Sequence, residues 1–330
     1  MNNRDTYIDI AKGLCMMLII CIHTEVFGVI GMPLTFIAVP MFFFMSGLYD
    51  RSEKKITNWL PKSLRTLILP GIIWILIGVG YSILLQFIKT KEIPSISFDI
   101  YNPATGNGPA WFLFALTFTK IVTWALLKLR MSKIALILSS IIIGYTGCKC
   151  QLPFFIDEGL VAVPLYAIGK CIYPYLNKIS SNILITALSL SIIVIYICGF
   201  VSYGIVPVGN GSYYEPYYII ALSAILLCFP AVLYISKKIE NVSYLNFLAI
   251  YGQKSLGIML LHAPICHTAA VILNRIFEVG SNIWIASFII AYFLIVVISY
   301  YLTCIIEKYC PILLGKTRTK NMNGHKLVMK

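Results

Sequence analysis

YIDIAKGLCMMLIICIHT, residues 7–24, decides the fold. The stretch is nearly long enough and apolar enough to cross a bilayer, which takes about 20 mostly apolar residues. Yet it carries Asp9, Lys12 and His23. The same apolar character runs through the whole chain. Of 330 residues, 59% are hydrophobic and only 12% charged, and the mean hydropathy is +0.86. A soluble domain has roughly 45–50% apolar and about 25% charged residues. Water-soluble enzymes, disordered chains and disulfide-stapled modules are excluded. The expected fold is an all-α integral membrane protein.

Apolar runs and their breakers predict about ten transmembrane helices: 8–29, 32–49, 65–88, 110–128, 132–148, 159–176, 182–203, 216–236, 254–273 and 283–306. A membrane domain over 1–306 would then be followed by a basic tail, 307–330. The N-terminal apolar stretch comes with Asp5 and Asp9 and lacks a small-residue cleavage site, so it reads as a span and not as a removable signal.

Lys and Arg number 26 against 13 acidic residues. With the N-terminus inside, 19 of the 26 fall in inner segments, four in outer loops and three within spans. Cytoplasmic loops collect Lys and Arg, so both termini are expected in the cytoplasm. No extramembrane segment is large enough to be a nucleic-acid-binding domain. The ten cysteines lie mostly in apolar stretches, where they act as small hydrophobes. Only Cys148 and Cys150 are close in sequence, and no metal site is expected. Two outer loops, 89–109 and 203–215, are rich in Gly, Pro, Asn and Tyr, a composition that suits either a plain linker or contacts with sugars.

Ionisable residues inside a span are costly and point to function. Lys12 and His23 are eleven residues apart, about 20° beyond three full turns and about 16.5 Å along the axis. They share one face of the first helix. Asp9 stands one turn before Lys12, close enough to pair with it. Such a stripe would line a solvated or substrate-filled channel. Read alone, Lys12 would be a snorkelling residue and His23 a packing hydrogen bond; the shared face favours function. Lys62 and Arg65 form a basic i, i+3 pair at the inner mouth, where topological charge is the competing explanation. His262 follows in the ninth span. Buried His and Lys could equally serve a proton-coupled transporter or a flippase for a lipid-linked glycan, although the chain shows no internal repeat of the transporter kind.

Six segments, in order, carry a resemblance. They are 7–24 with its Lys-x10-His spacing, MPLTFIAVPMFFFMSGLYD (32–50), WLPKSLRTLILPGIIW (59–74), NGPAWFLFALTFTK (107–120), VPLYAIGK (163–170) and GQKSLGIMLLHAPI (252–265). The chain resembles the acyltransferase 3 family of multi-pass membrane O-acyltransferases, in particular its fucose 4-O-acetylase-like branch. Many members have Arg where Lys12 stands, and Lys lacks the bidentate fork that Arg offers to phosphate. Many also carry a hydrolase-like domain after the spans; with 307–330 alone following, the membrane domain is expected to act by itself.

The resemblance implies an enzyme of the cell membrane that moves an acyl group, acetyl above all, from acyl-CoA to a hydroxyl of a cell-surface or lipid-linked carbohydrate. Acetyl-CoA would be a co-substrate and no cofactor would be resident; membrane lipids complete the partners. It implies His23 as the catalytic residue, with Lys12, Lys62 and Arg65 binding acyl-CoA and Asp9, Ser46, Trp111 and His262 lining or positioning the cavity. His23 would act as general base on the sugar hydroxyl or carry the acyl group covalently; the residues leave both open.

Overall fold

The structure is a computed structural model that describes residues 5–24, 28–50, 55–92, 99–104, 107–172, 190 and 218–317. At 28–37, 89, 221 and 224 it describes the backbone alone. Every regular element among these residues is helical. In chain order they are α1 (Thr6–His23), α2 (Gly28–Leu48), α3 (Ile56–Ser63), α4 (Leu69–Thr90), α5 (Trp111–Lys128), α6 (Lys133–Lys149), α7 (Ile156–Val161), α8 (Val163–Ile172), α9 (Tyr218–Ile239), α10 (Asn246–Gln253), α11 (Ser255–Ile276) and α12 (Asn282–Tyr309).

Among the described residues, six segments are long and apolar enough to span: Thr6–His23, Ile56–Ile88, Gly108–Lys128, Tyr218–Ile239, Ser255–Ile276 and Asn282–Tyr309. The protein is therefore multi-pass, with six spans among the described residues against about ten predicted for the whole chain. The predicted span 159–176 is broken at Ala162 into α7 and α8, and α8 is described as far as Ile172. The span 182–203 and the loop 203–215 lie outside the described residues. The first helix also stops earlier than expected. Thr24 turns its own backbone N–H and its hydroxyl back onto the Cys21 carbonyl, at 3.2 and 2.7 Å. Such local bonding closes a helix, so His23 stands in the last turn of α1 and not in its middle.

The third predicted span is continuous with α3 through a π-helical turn, Leu64–Ile68. Pro70 explains it. Proline has no N–H to give to Thr66 one turn earlier, and its ring would press on that carbonyl. Widening the turn relieves the clash, and the Leu69 N–H accordingly reaches the Leu64 carbonyl five residues back.

α1 is the hub and packs on α2, α9, α10, α11 and α12. One apolar core runs through the bundle, from Ile8, Met16 and Ile20 on α1 through Phe43 and Phe44 to Leu113, Tyr166 and Phe229. α4 and α12 turn apolar faces outward instead, with Leu76 66% and Phe293 62% exposed, as lipid-facing helices do. Lipid tails are as apolar as leucine, so burial alone does not hold such helices together; close approach and interhelical hydrogen bonds do. Thr119 donates to the Gly159 carbonyl at 2.8 Å, and Tyr81 meets Thr268 at 2.5 Å. Lys170 donates to the Asp50 carbonyl at 2.8 Å and pairs with its carboxylate at 3.6 Å.

Two reciprocal glycine pairs allow the closest approaches. A methyl on Gly47 of α2 would overlap the Tyr166 carbonyl of α8, and one on Gly169 of α8 would overlap the Phe44 carbonyl of α2. Gly13 of α1 and Gly252 of α10 stand in the same relation to the Leu248 and Asp9 carbonyls.

Candidate active site

The two histidines that sequence places 239 positions apart meet in space. The His23 ring sits edge-on to the His262 ring with centroids 5.0 Å apart. His23 is exposed, and His262 is fully buried. The pair therefore stands where the core opens. His262 is fixed from its own helix, with Nδ1 3.2 Å from the Ile258 carbonyl. Its Nε2 is buried and has no hydrogen-bond partner among the described residues.

Lys12 stands eleven residues before His23. Its ammonium is 3.9 Å from the carboxylate of the buried Asp9 and 5.8 Å from the centroid of the Tyr49 ring. The Tyr49 hydroxyl in turn donates to Asp5 at 2.8 Å. The start of α1 and the end of α2 are thus tied by a small polar network around a cation that is only partly buried. Sequence reasoning named Lys12 and Asp9 but missed Tyr49, which no local pattern marks.

Trp111 opens α5 and packs beside Phe43 at 6.3 Å and Phe155 at 6.4 Å. Phe155 and its neighbour Phe154 hold left-handed backbones, φ 60° and 57°, costly for bulky residues. Phe155 also lines a hollow of about 490 Å³ with Tyr101, Asn102, Gln151 and Asp157. Ser46 is half-buried on α2, one residue before Gly47.

Lys62 and Arg65 are exposed, on α3 and on the π-helical turn. A third cation joins them: Lys120 reaches back from α5 to the Ser63 hydroxyl at 3.0 Å and lies over the Trp59 ring. Arg65 borders a hollow of about 280 Å³ together with Tyr309, Ile312 and Lys316. The segment after α12 closes that hollow. Trp74 donates its indole N–H to the Leu313 carbonyl at 2.9 Å, and Lys316 pairs with Glu307 at 2.5 Å. Gly315 adopts a left-handed φ of 66° where a methyl would come within 2.6 Å of the Thr66 backbone. Lys120 was visible in the sequence only as a cation within a span, and Lys316 only as part of a basic tail.

The structure thus brings His23 to His262 and Lys12 to Asp9, and it sets Lys62 and Arg65 beside further cations. The described residues form a multi-pass helical bundle with one exposed and one buried histidine in contact, and with cations at Lys12 and around Lys62, Arg65 and Lys120. The profile of the acyltransferase domain family, acyltransferase 3, matches residues 5–304, nearly the whole chain. The chain belongs to that family, and it is a membrane acyltransferase. No curated protein and no solved structure matches it significantly.

Proposed function

We propose that this acyltransferase moves an acyl group, acetyl in the first instance, from acyl-CoA to a hydroxyl of a cell-surface or lipid-linked carbohydrate in the cell membrane, with both termini in the cytoplasm. The observation that carries the reading is the His23–His262 pair, an exposed imidazole braced edge-on at 5.0 Å by a buried one, eleven residues beyond a cation on the same helix. Acyl-CoA is polyanionic, and Lys62, Arg65 and Lys12 supply positive charge from the inner surface toward the core. His23 takes the proton of the attacking hydroxyl. That oxygen bonds to the thioester carbonyl carbon, the carbon–sulfur bond breaks, and the proton passes to the departing thiolate as CoA-SH. Asp9, Ser46 and Trp111 line the approach. The hollow around Tyr101, Asn102, Gln151 and Phe155, which Asp99, Lys149, Asp157 and Glu158 also line, offers an arriving sugar both flat apolar faces and hydrogen-bonding groups.

The direct test uses sealed vesicles of known orientation, with labelled acetyl-CoA on one side and a mixed glycan extract on the other. Acetylated glycan should form only when acetyl-CoA faces the Lys62/Arg65 side. Product from either orientation alike would remove the sidedness, and no product in any arrangement would remove the proposed substrates.

The donor site has its own check. The double variant Lys62→Ala, Arg65→Ala should weaken acetyl-CoA binding about tenfold at low salt, since each exposed charge contact contributes roughly 0.2–1 kcal/mol. The loss should shrink as salt rises, because the Debye length falls to about 8–10 Å near physiological ionic strength and lower still beyond it. Calorimetry in detergent that finds equal affinity for variant and wild type would reduce the pair to topological signals.

A further inference from the structure

Asn107 Oδ1 and His262 Nε2 are among the six buried side-chain atoms that meet no hydrogen-bond partner among the described residues, and backbone carbonyls set the polarity of both. Asn107 lies just before α5 and is 2% exposed. Its side-chain nitrogen donates to the Leu260 carbonyl of α11 at 2.9 Å. A carbonyl oxygen can only accept, so the amide NH2 must lie on that side and Oδ1 on the other. Oδ1 is buried and meets no donor. His262, two residues along α11 from Leu260, repeats the pattern. The Ile258 carbonyl beside Nδ1 can only accept, so in the neutral ring the proton sits on Nδ1 and Nε2 presents a lone pair. It too is buried without a donor.

Buried acceptors left unmet are rare in native structures and call for an explanation. Here both belong to one neighbourhood, since Asn107 is bonded to the backbone of the helix turn that carries His262, and His262 carries His23 on its ring. A partner for two lone pairs must bring O–H or N–H donors. The reacting end of a thioester brings none, because its carbonyl oxygen and sulfur are acceptors. A polyhydroxylated acceptor brings several. Resting on the acyltransferase reading, we propose that Asn107 Oδ1 and His262 Nε2 form the clamp that receives acceptor hydroxyls, with Asn107 a substrate-binding residue of this enzyme. The clamp holds the sugar by two accepted hydrogen bonds and leaves His23 to take the proton of the hydroxyl that reacts. A site built around hydroxyl donors rejects an analogue lacking them far more strongly than an apolar pocket rejects a change of size, so the clamp also confers selectivity for alcohols with more than one hydroxyl.

The test uses the full chain in detergent with labelled acetyl-CoA and a pool of methyl glycosides of hexoses, 6-deoxyhexoses and N-acetylhexosamines. Asn107→Ala should raise the glycoside concentration for half-maximal transfer tenfold or more, while half-saturation by acetyl-CoA stays within twofold. At the buried histidine, His262→Gln returns an amide oxygen to the place of Nε2 and His262→Asn does not, so the Gln variant should keep the lower glycoside requirement. This pair decides the matter even if Asn107→Ala fails to fold. Donor and acceptor half-saturation rising together, or Gln and Asn at 262 behaving alike, would overturn the clamp. So would wild-type protein that hydrolyses acetyl-CoA but is accelerated by no glycoside. Wild type that neither hydrolyses nor transfers would instead remove the acyl-CoA reading on which the clamp rests.

Discussion

Replacing His23 by alanine is expected to lower acyl transfer by about 10²–10⁴-fold, the span that a positioned general base contributes, while leaving the protein folded. The two halves of that expectation come from different observations. A sugar hydroxyl is a weak nucleophile at neutral pH, and an imidazole is the side chain whose ordinary pKa of about 6.5 suits it to take a proton there. Of the two rings that meet at 5.0 Å, only His23 is exposed. His262 is fully buried and held by its own helix, so it can brace a reacting group but cannot move to one. Folding should survive because His23 closes α1 on its exposed side and its removal opens no cavity. His262→Ala makes the contrast: truncating a fully buried ring should cost stability as well as activity. Turnover from labelled acetyl-CoA, read beside melting curves in detergent, separates the two. Near-wild-type turnover in His23→Ala would end the assignment of the base.

What could be read from the sequence follows the range of the forces involved. The facial repeat of Lys12 and His23 is a property of one helix, and α1 holds both. The Asp9–Lys12 pair is one turn long and was legible for the same reason. Pro70 announced an irregularity whose form, a π-helical turn, depends on how one carbonyl is relieved. The contacts across the bundle were out of reach. Nothing in NGPAWFL says that Asn107 will find the Leu260 carbonyl 153 residues later, and nothing near Tyr49 says that its ring will lie beneath Lys12. The short helix α10 was missed because eight residues with no proline or glycine at their start look like the continuation of a loop. Hydropathy alone also could not show that the apolar run 159–176 is divided at Ala162 between α7 and α8.

The motif glycines were quoted in the sequence as marks of resemblance, and the structure turns them into a physical requirement that carries the second large effect. Gly252→Val should prevent the formation of monodisperse protein, and Gly252→Ala should lower the melting temperature in detergent. The Gly252 Cα faces the Asp9 carbonyl, and an added methyl would overlap that oxygen and crowd the Gly13 nitrogen. Backbone cannot swing aside as a flexible side chain can, so α1 and α10 would have to separate. Overpacking a well-filled site costs about 1–3 kcal/mol where side chains can adjust, and here they are not what must move. The separation would also shift Asp9 and with it Lys12 and His23, so activity should fall in Gly252→Ala by more than its stability loss explains. Gly80 supplies the control on the same chain. It lies within α4 with open space around its Cα, and Gly80→Ala should be neutral or stabilising, by about 0.5–1 kcal/mol from helix propensity alone. Size-exclusion profiles and melting curves of the three variants, taken with acetyl-CoA turnover, read out both effects. A Gly252→Val protein that elutes and melts like wild type would show that α1 and α10 do not depend on this contact, and the helix hub that positions Lys12 and His23 would need another explanation.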